Sequence, residues 1–253
     1  MNVDHAPAIW NIAHTAAYAR YQDLLTAFAT EHGPVVQTGP FAGMTLPMEQ
    51  SWGHGDLLSK LIGCYEAELH RAIAEAVAWQ PDTVVNIGAA EGYYAVGLAR
   101  ILPDIRCHAF DISESAQAIC RTTALINGVA DRVTVGGSCT PETLQAVCAD
   151  AVRPLIVCDC EGAERELIDP SGVPALVRST LLVECHDFLD PTITDTLVDR
   201  LSSTHELYLV SEGARDPNAV PFLRDRNSLE RWIAVCEFRP STMHWLYGRP
   251  QTR

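Results

Sequence analysis

The chain has 253 residues, 47% of them apolar, and carries 32 acidic against 18 basic side chains, a formal net charge of −14. Length and apolar content suffice for one large α/β domain with additions. The excess of acid leaves no basic stripe to release counterions from a nucleic-acid backbone, which excludes nucleic acid as a partner.

No window approaches the ~20 apolar residues of a membrane span. Met1-Asn2-Val3-Asp4-His5 carries no basic region followed by an apolar core, so a cytoplasmic protein with no membrane partner is expected. Nine cysteines, an odd number scattered through predicted elements, read as reduced core residues. Cys158 and Cys160 are separated by one residue only, which does not suit a CxxC redox or zinc pair.

Helical spacing predicts a first helix over residues 8–30, followed by a Gly/Pro-punctuated stretch, Gly33 to Pro47, read as loop or short strand. A second helix is predicted over residues 56–79, where Leu57, Leu61, Tyr65, Leu69, Ile73 and Val77 recur on one face and Pro81 follows. Residues 1–80 therefore read as an N-terminal helical extension and substrate lid, ahead of a second unit over 81–253. Phe41, Met44 and Met48, with Trp52, His54, Tyr65 and Glu66, are either that lid or ordinary packing. Lys60 is the only lysine, and composition ties it to no mechanism.

Residues 82–98 read as a buried strand over 83–87, a small-residue turn and a helix start. Gly88, Ala89 and Ala90 let the backbone approach a ligand closely, and the next helix presents unpaired N–H groups there. A dinucleotide fingerprint needs small residues at 88, 90 and 93, but position 93 is Tyr93, which disfavours a nicotinamide cofactor. The other spacing places Gly88, Ala90 and Gly92 at the small positions.

That pattern resembles motif I of the class I S-adenosylmethionine-dependent methyltransferases. The acidic residue usual two positions before the first glycine is here Asn86. Its amide can hydrogen-bond the methionine part of the cofactor but loses the charge interaction with its amino group. The resemblance implies S-adenosylmethionine as cofactor, with Asn86, Gly88, Ala89, Ala90, Gly92 and Tyr93 around it.

A second strand over 105–110 runs into Asp111, 19 residues beyond Gly92, where this architecture sets a carboxylate on the ribose hydroxyls, with Ile112 beside it. Asp111 equally suits the N-cap of a helix over 114–126. A third strand over 132–135 leads to Gly136-Gly137-Ser138-Cys139, where Ser138 is either an adenine contact or part of a turn.

Further strands are predicted at 154–159, 179–185, 205–210 and 231–237, with helices between the first six. This alternation implies a doubly wound, mostly parallel seven-stranded sheet, a Rossmann-like methyltransferase fold. Residues 211–228 lack periodicity and read as an excursion over the active site or a surface loop. Met243-His244-Trp245-Leu246-Tyr247 reads as a terminal edge strand or cover.

The fourth strand releases Asp159 at its carboxyl end, where ligands of open α/β sheets bind. Asp159-Cys160-Glu161-Gly162-Ala163-Glu164, with Glu184-Cys185-His186 at the end of the fifth strand, resembles the FkbM-type methyltransferases over roughly residues 83–190. The resemblance implies O-methylation of a hydroxyl on a natural product or sugar.

Methyl transfer is an in-line displacement that needs a positioned oxygen nucleophile and removal of its proton. His186 is the expected general base, because its ordinary pKa lies near neutrality, with Asp159 and Glu184 orienting it or the substrate. Asp159 and Glu184 could instead hold Mg²⁺. Glu161 and Glu164 stand as site residues or as acids favoured by a helix dipole, and His186 has the alternative of capping the loop before Pro191. A nicotinamide-dependent oxidoreductase and a non-catalytic cofactor-binding protein remain as alternatives, and assembly as a homodimer is open.

Overall fold

The computed structural model describes residues 6–49, 51 and 55–251. Helix α1 (Ala6–His32) buries Tyr21, Leu24, Leu25 and Phe28 against the body. Helix α2 (Leu57–Ile62) ends at Gly63, which is left-handed at φ 89° and donates its N–H back to Ser59. A Cβ there would sit 2.1 Å from the Thr38 carbonyl oxygen, so only glycine fits the turn.

The continuous helix predicted over 56–79 is therefore broken. Cys64 and Tyr65 also return their N–H groups to Ser59, Glu66 adopts φ 45°, and a 3-10 turn (Ala67–Leu69) precedes α3 (His70–Ala78). Helix α2 is buried on all sides, whereas α3 buries only Ala72, Ile73 and Ala76.

From there strands and helices alternate: β1 (Thr83–Ile87), α4 (Tyr93–Ile101), β2 (Arg106–Phe110), α5 (Glu114–Ile126), β3 (Val133–Gly136), α6 (Pro141–Cys148), β4 (Pro154–Cys158), α7 (Glu164–Leu167), β5 (Thr180–Cys185), α8 (Ile193–Leu201), β6 (His205–Ser211), α9 (Ser228–Ala234) and β7 (His244–Pro250). The seven strands form one sheet in the order β3-β2-β1-β4-β5-β7-β6, parallel except for β7, which runs antiparallel to both neighbours. This is the doubly wound Rossmann-like sheet expected from the sequence.

Strand alternation divides the core. Val84, Leu155, Val157, Leu182 and Trp245 pack toward α4, α5 and the N-terminal helices, while Val85, Ile87, Ile156, Val183 and Leu246 pack toward α6 and α8.

Two expectations late in the chain are corrected. Residues 231–237 are not a strand; α9 occupies Ser228–Ala234, capped by Asn227 accepting from the Glu230 N–H, and its Glu230 pairs with Arg20 of α1. The seventh strand is β7, which lies inside the sheet rather than at an edge. Within residues 212–227 Phe222 packs against Phe28 and His32, and none of these residues lines the cavity at the strand ends. Val235–Met243 is the stretch that crosses them. Among the described residues no helix is long and apolar enough to cross a membrane.

Candidate active site

The carboxyl ends of β1, β2, β4 and β5 open into a cavity of about 710 Å³, a volume suited to a nucleotide-sized ligand and a small substrate together. One side is made by the turn after β1. Gly88 is left-handed at φ 73°, and a Cβ on it would lie 1.5 Å from the backbone oxygen of Asp159, so the ends of β1 and β4 touch only because position 88 has no side chain.

Ala90 is left-handed at φ 47°, a strained conformation for a residue with a Cβ. Its N–H donates to Asp111 Oδ2 at 2.8 Å, and Ser113 donates to Oδ1 at 2.9 Å. Asp111 is thus not the N-cap of α5, a role taken by Ser113; it braces the turn and faces the cavity. Ile112, 81% exposed, offers a bare apolar side chain beside it, and Ser138 lines the same end from the turn after β3.

Not every candidate reaches this wall. Asn86 is buried behind it on β1, with Nδ2 on the Val157 carbonyl at 3.4 Å and Oδ1 without a partner among the described residues. Gly92 also lies behind the wall: a Cβ there would meet Cys120 Sγ at 2.8 Å, so close packing on α5 explains its glycine. Tyr93 lines the cavity, with its ring edge-on to Phe41, Tyr65 and Tyr94. Phe41 and Met44 are fully buried core residues rather than a lid, Met48 is exposed, and Trp52 and His54 lie outside the described residues.

The opposite side brings together the candidate residues at the ends of β4 and β5. His186 is 1% exposed, and its Nε2 lies 3.5 Å from Asp159 Oδ1, 3.5 Å from Glu161 Oε2 and 3.4 Å from Glu184 Oε2. Its Nδ1 is 2.6 Å from Glu164 Oε1.

Glu164 is therefore more than a residue favoured by a helix dipole: it fixes the ring from behind, and its Oε1 also accepts from the Gly162 N–H. Burial opposes protonation of His186, but the bond to Glu164 and the nearby carboxylates outweigh it and raise its pKa above the ordinary histidine value. Burial and the adjacent Glu184 carboxylate push Asp159 well above the usual carboxylate range. Ligand atoms of Asp159, Glu184 and His186 lie within 4.8 Å of one another, and a histidine braced at Nδ1 by a carboxylate is the donor arrangement metal ions favour.

Behind Glu184 stands an ionic network without local sequence signal. Arg239, on the stretch that crosses the strand ends, pairs with Glu184, with Glu66 Oε1 at 2.6 Å and with Glu237 Oε2 at 3.0 Å. Glu66, fully buried, also accepts from the Tyr94 hydroxyl, and burial pushes its carboxyl up to about 8. Arg215 joins Glu237 at 2.7 Å and Glu68 at 2.9 Å. These pairs hold Val235–Met243 over the cavity, with Phe238 edge-on to His14, Tyr18 and Tyr21 of α1. The nine cysteines are free, and Cys158 and Cys160 bring their sulfurs within 3.5 Å because the chain leaves its strand at Asp159.

No protein-family model and no curated protein matches the chain. Solved structures with a similar arrangement include precorrin-6y C5,15-methyltransferase from Geobacter metallireducens, 14% identical over 71% of this chain and 87% of that one, with a TM-score of 0.47. Another is an O-methyltransferase from Bacillus cereus in complex with S-adenosylhomocysteine, 11% identical over 91% of each chain, TM-score 0.45. A third is precorrin 8w decarboxylase from Methanobacterium thermoautotrophicum, 16% identical over 70% and 88%, TM-score 0.49. Identities and scores at this level assign no activity to this chain, and its own residues carry the functional reading.

Proposed function

We propose that the chain is an S-adenosylmethionine-dependent methyltransferase, of FkbM type, that methylates a hydroxyl of a small natural product or sugar. One observation carries the reading: a single cavity joins the Gly88–Ala90 turn and its Asp111 brace to the Asp159, Glu184 and His186 cluster. The residues fit the cofactor. Gly88 lets the turn after β1 close onto the end of β4 and bare its backbone to the cavity, Asp111 suits the ribose hydroxyls, and Ile112 and Ser138 suit the flanks of a base.

S-adenosylmethionine, when bound, supplies a methyl group on a positively charged sulfur. The chain's own residues position the acceptor and handle its proton. His186 Nε2 takes the hydroxyl proton, while Glu164 keeps the other ring nitrogen protonated and the ring fixed. Asp159 and Glu184 orient the acceptor, Glu184 stabilises the imidazolium, Arg239 holds Glu184 in place, and Val235–Met243 excludes water.

In a second reading Asp159, Glu184 and His186 would instead hold a divalent cation such as Mg²⁺, whose charge would lower the acceptor's pKa in place of proton transfer to Nε2. A nicotinamide cofactor is less suited, because the bulky ring of Tyr93 stands where the dinucleotide fingerprint needs a small residue.

The test is methyl transfer from S-adenosylmethionine labelled at the methyl carbon to a panel of hydroxylated small molecules, with and without chelator. Label in a product ether supports the reading, and loss of that label on chelation supports the cation. Cofactor binding without transfer to any acceptor would favour a non-catalytic protein on this scaffold.

A further inference from the structure

The chain's one lysine is buried in the wall of the cavity, 4% exposed, on the short helix α2. Lys60 reaches from α2 to Glu91 in the turn after β1. Its Nζ lies 2.6 Å from Asp56 Oδ2 and 2.5 Å from Glu91 Oε1, and 4.5 Å from the centre of the Tyr65 ring. Glu91 is the residue between Ala90 and Gly92, and its second oxygen accepts from Ser51 at 3.1 Å. Burial opposes the charge on Lys60, but the two carboxylates outweigh it and hold the ammonium protonated.

A buried trio of two carboxylates and one ammonium adds little stability by itself, since desolvation offsets most of the attraction. Asp56, Lys60 and Glu91 all line the cavity, their net charge is negative, and among the described residues no oxygen takes the ammonium's third N–H.

The cofactor's sulfur bears an adenosyl group, a methyl group and an amino-acid branch with both an ammonium and a carboxylate. Asp111 and Ser138 lie at the adenosyl end, and His186 at the end of the methyl acceptor. The amino-acid branch is left to leave the sulfur near the turn after β1. Its carboxylate needs a cation, and the basic chains among the described residues of the wall are Lys60 and Arg239. Arg239 is already committed to Glu184, Glu66 and Glu237. Asn86, uncharged and behind the wall, leaves the ammonium without its expected partner.

We propose that Asp56, Lys60 and Glu91 seat the amino-acid end of S-adenosylmethionine, Lys60 binding its carboxylate and the two acids its ammonium. The proposal rests on the methyltransferase reading and assigns to the N-terminal segment a part of the cofactor site. Charge that motif I lacks at position 86 is supplied from position 91 and from a separate helix.

The test compares S-adenosylhomocysteine with 5′-methylthioadenosine, which lacks the amino-acid end, by calorimetry on the wild-type chain and on Lys60→Gln. The substitution is expected to weaken S-adenosylhomocysteine on the order of tenfold or more and to leave methylthioadenosine nearly unchanged. Equal loss for both ligands, or no loss for either, overturns the proposal.

A second measurement needs no variant. In wild-type protein grown with ¹³C-labelled lysine, the sole side-chain Cε signal should shift on saturation with S-adenosylhomocysteine and stay in place with methylthioadenosine. An unmoved signal at saturation overturns the proposal while leaving the methyltransferase reading intact. Failure of both ligands to bind the wild-type chain overturns that reading itself.

Discussion

Glu164 Oε1 lies 2.6 Å from Nδ1 of His186, inside the protein, with the other imidazole nitrogen turned to three carboxylates at the carboxyl ends of β4 and β5. The contact raises the pKa of His186 and lowers that of Glu164, whose burial alone would have raised it. A base must be neutral to accept a proton, so kcat/KM should rise with pH through a value above the ordinary histidine pKa of about 6.5. Glu164→Gln removes the charge but keeps an acceptor for Nδ1–H. It should move that limb to lower pH and reduce kcat by about 10- to 100-fold. A limb that stays in place would show that Glu164 does not act through His186.

His186→Ala removes the proposed base without touching the Gly88–Ala90 turn. Turnover should fall by about 10²- to 10⁴-fold at saturating substrate, with S-adenosylhomocysteine affinity nearly unchanged. Stopped assays for kcat paired with calorimetry separate the two effects.

Asp111→Ala should do the reverse. The carboxylate braces Ala90 and lines the cavity at the proposed ribose position, so its loss should weaken S-adenosylhomocysteine on the order of tenfold or more while kcat at saturating cofactor stays close to wild type.

Arg239→Met leaves Glu184 and Glu66 buried without their cation. Breaking a buried pair from one side costs about 3–5 kcal/mol, a loss that urea unfolding would measure directly. An unfolding midpoint close to wild type would mean that Val235–Met243 is held by its apolar contacts instead.

The centre of the sheet was legible because β1 and β4 are buried on both faces and read as apolar-rich runs, Thr83–Ile87 broken only by Asn86 and Pro154–Cys158 apolar throughout. Asp159, Glu184 and His186 were legible for a related reason: each sits at or just past the carboxyl end of such a strand, while Asp111 closes the half-buried β2. The run Trp232-Ile233-Ala234-Val235 suggested a strand, but the Asn227 cap with Glu230 three residues on decides for helix α9. Glu164 looked like a residue favoured by a helix dipole because its partner stands 22 residues later. Arg239 and Glu66 meet across 173 positions, a pairing no local pattern records. Lys60 gave no signal beyond being alone.

The Gly88–Ala90 turn and Asp111 form the proposed cofactor site. Its most direct test is calorimetric titration of the wild-type chain with S-adenosylhomocysteine, alongside NADH. Saturable binding of one S-adenosylhomocysteine per chain, with none of NADH, is the predicted result. No heat from S-adenosylhomocysteine at millimolar concentration, or saturable binding of NADH in its place, would contradict it.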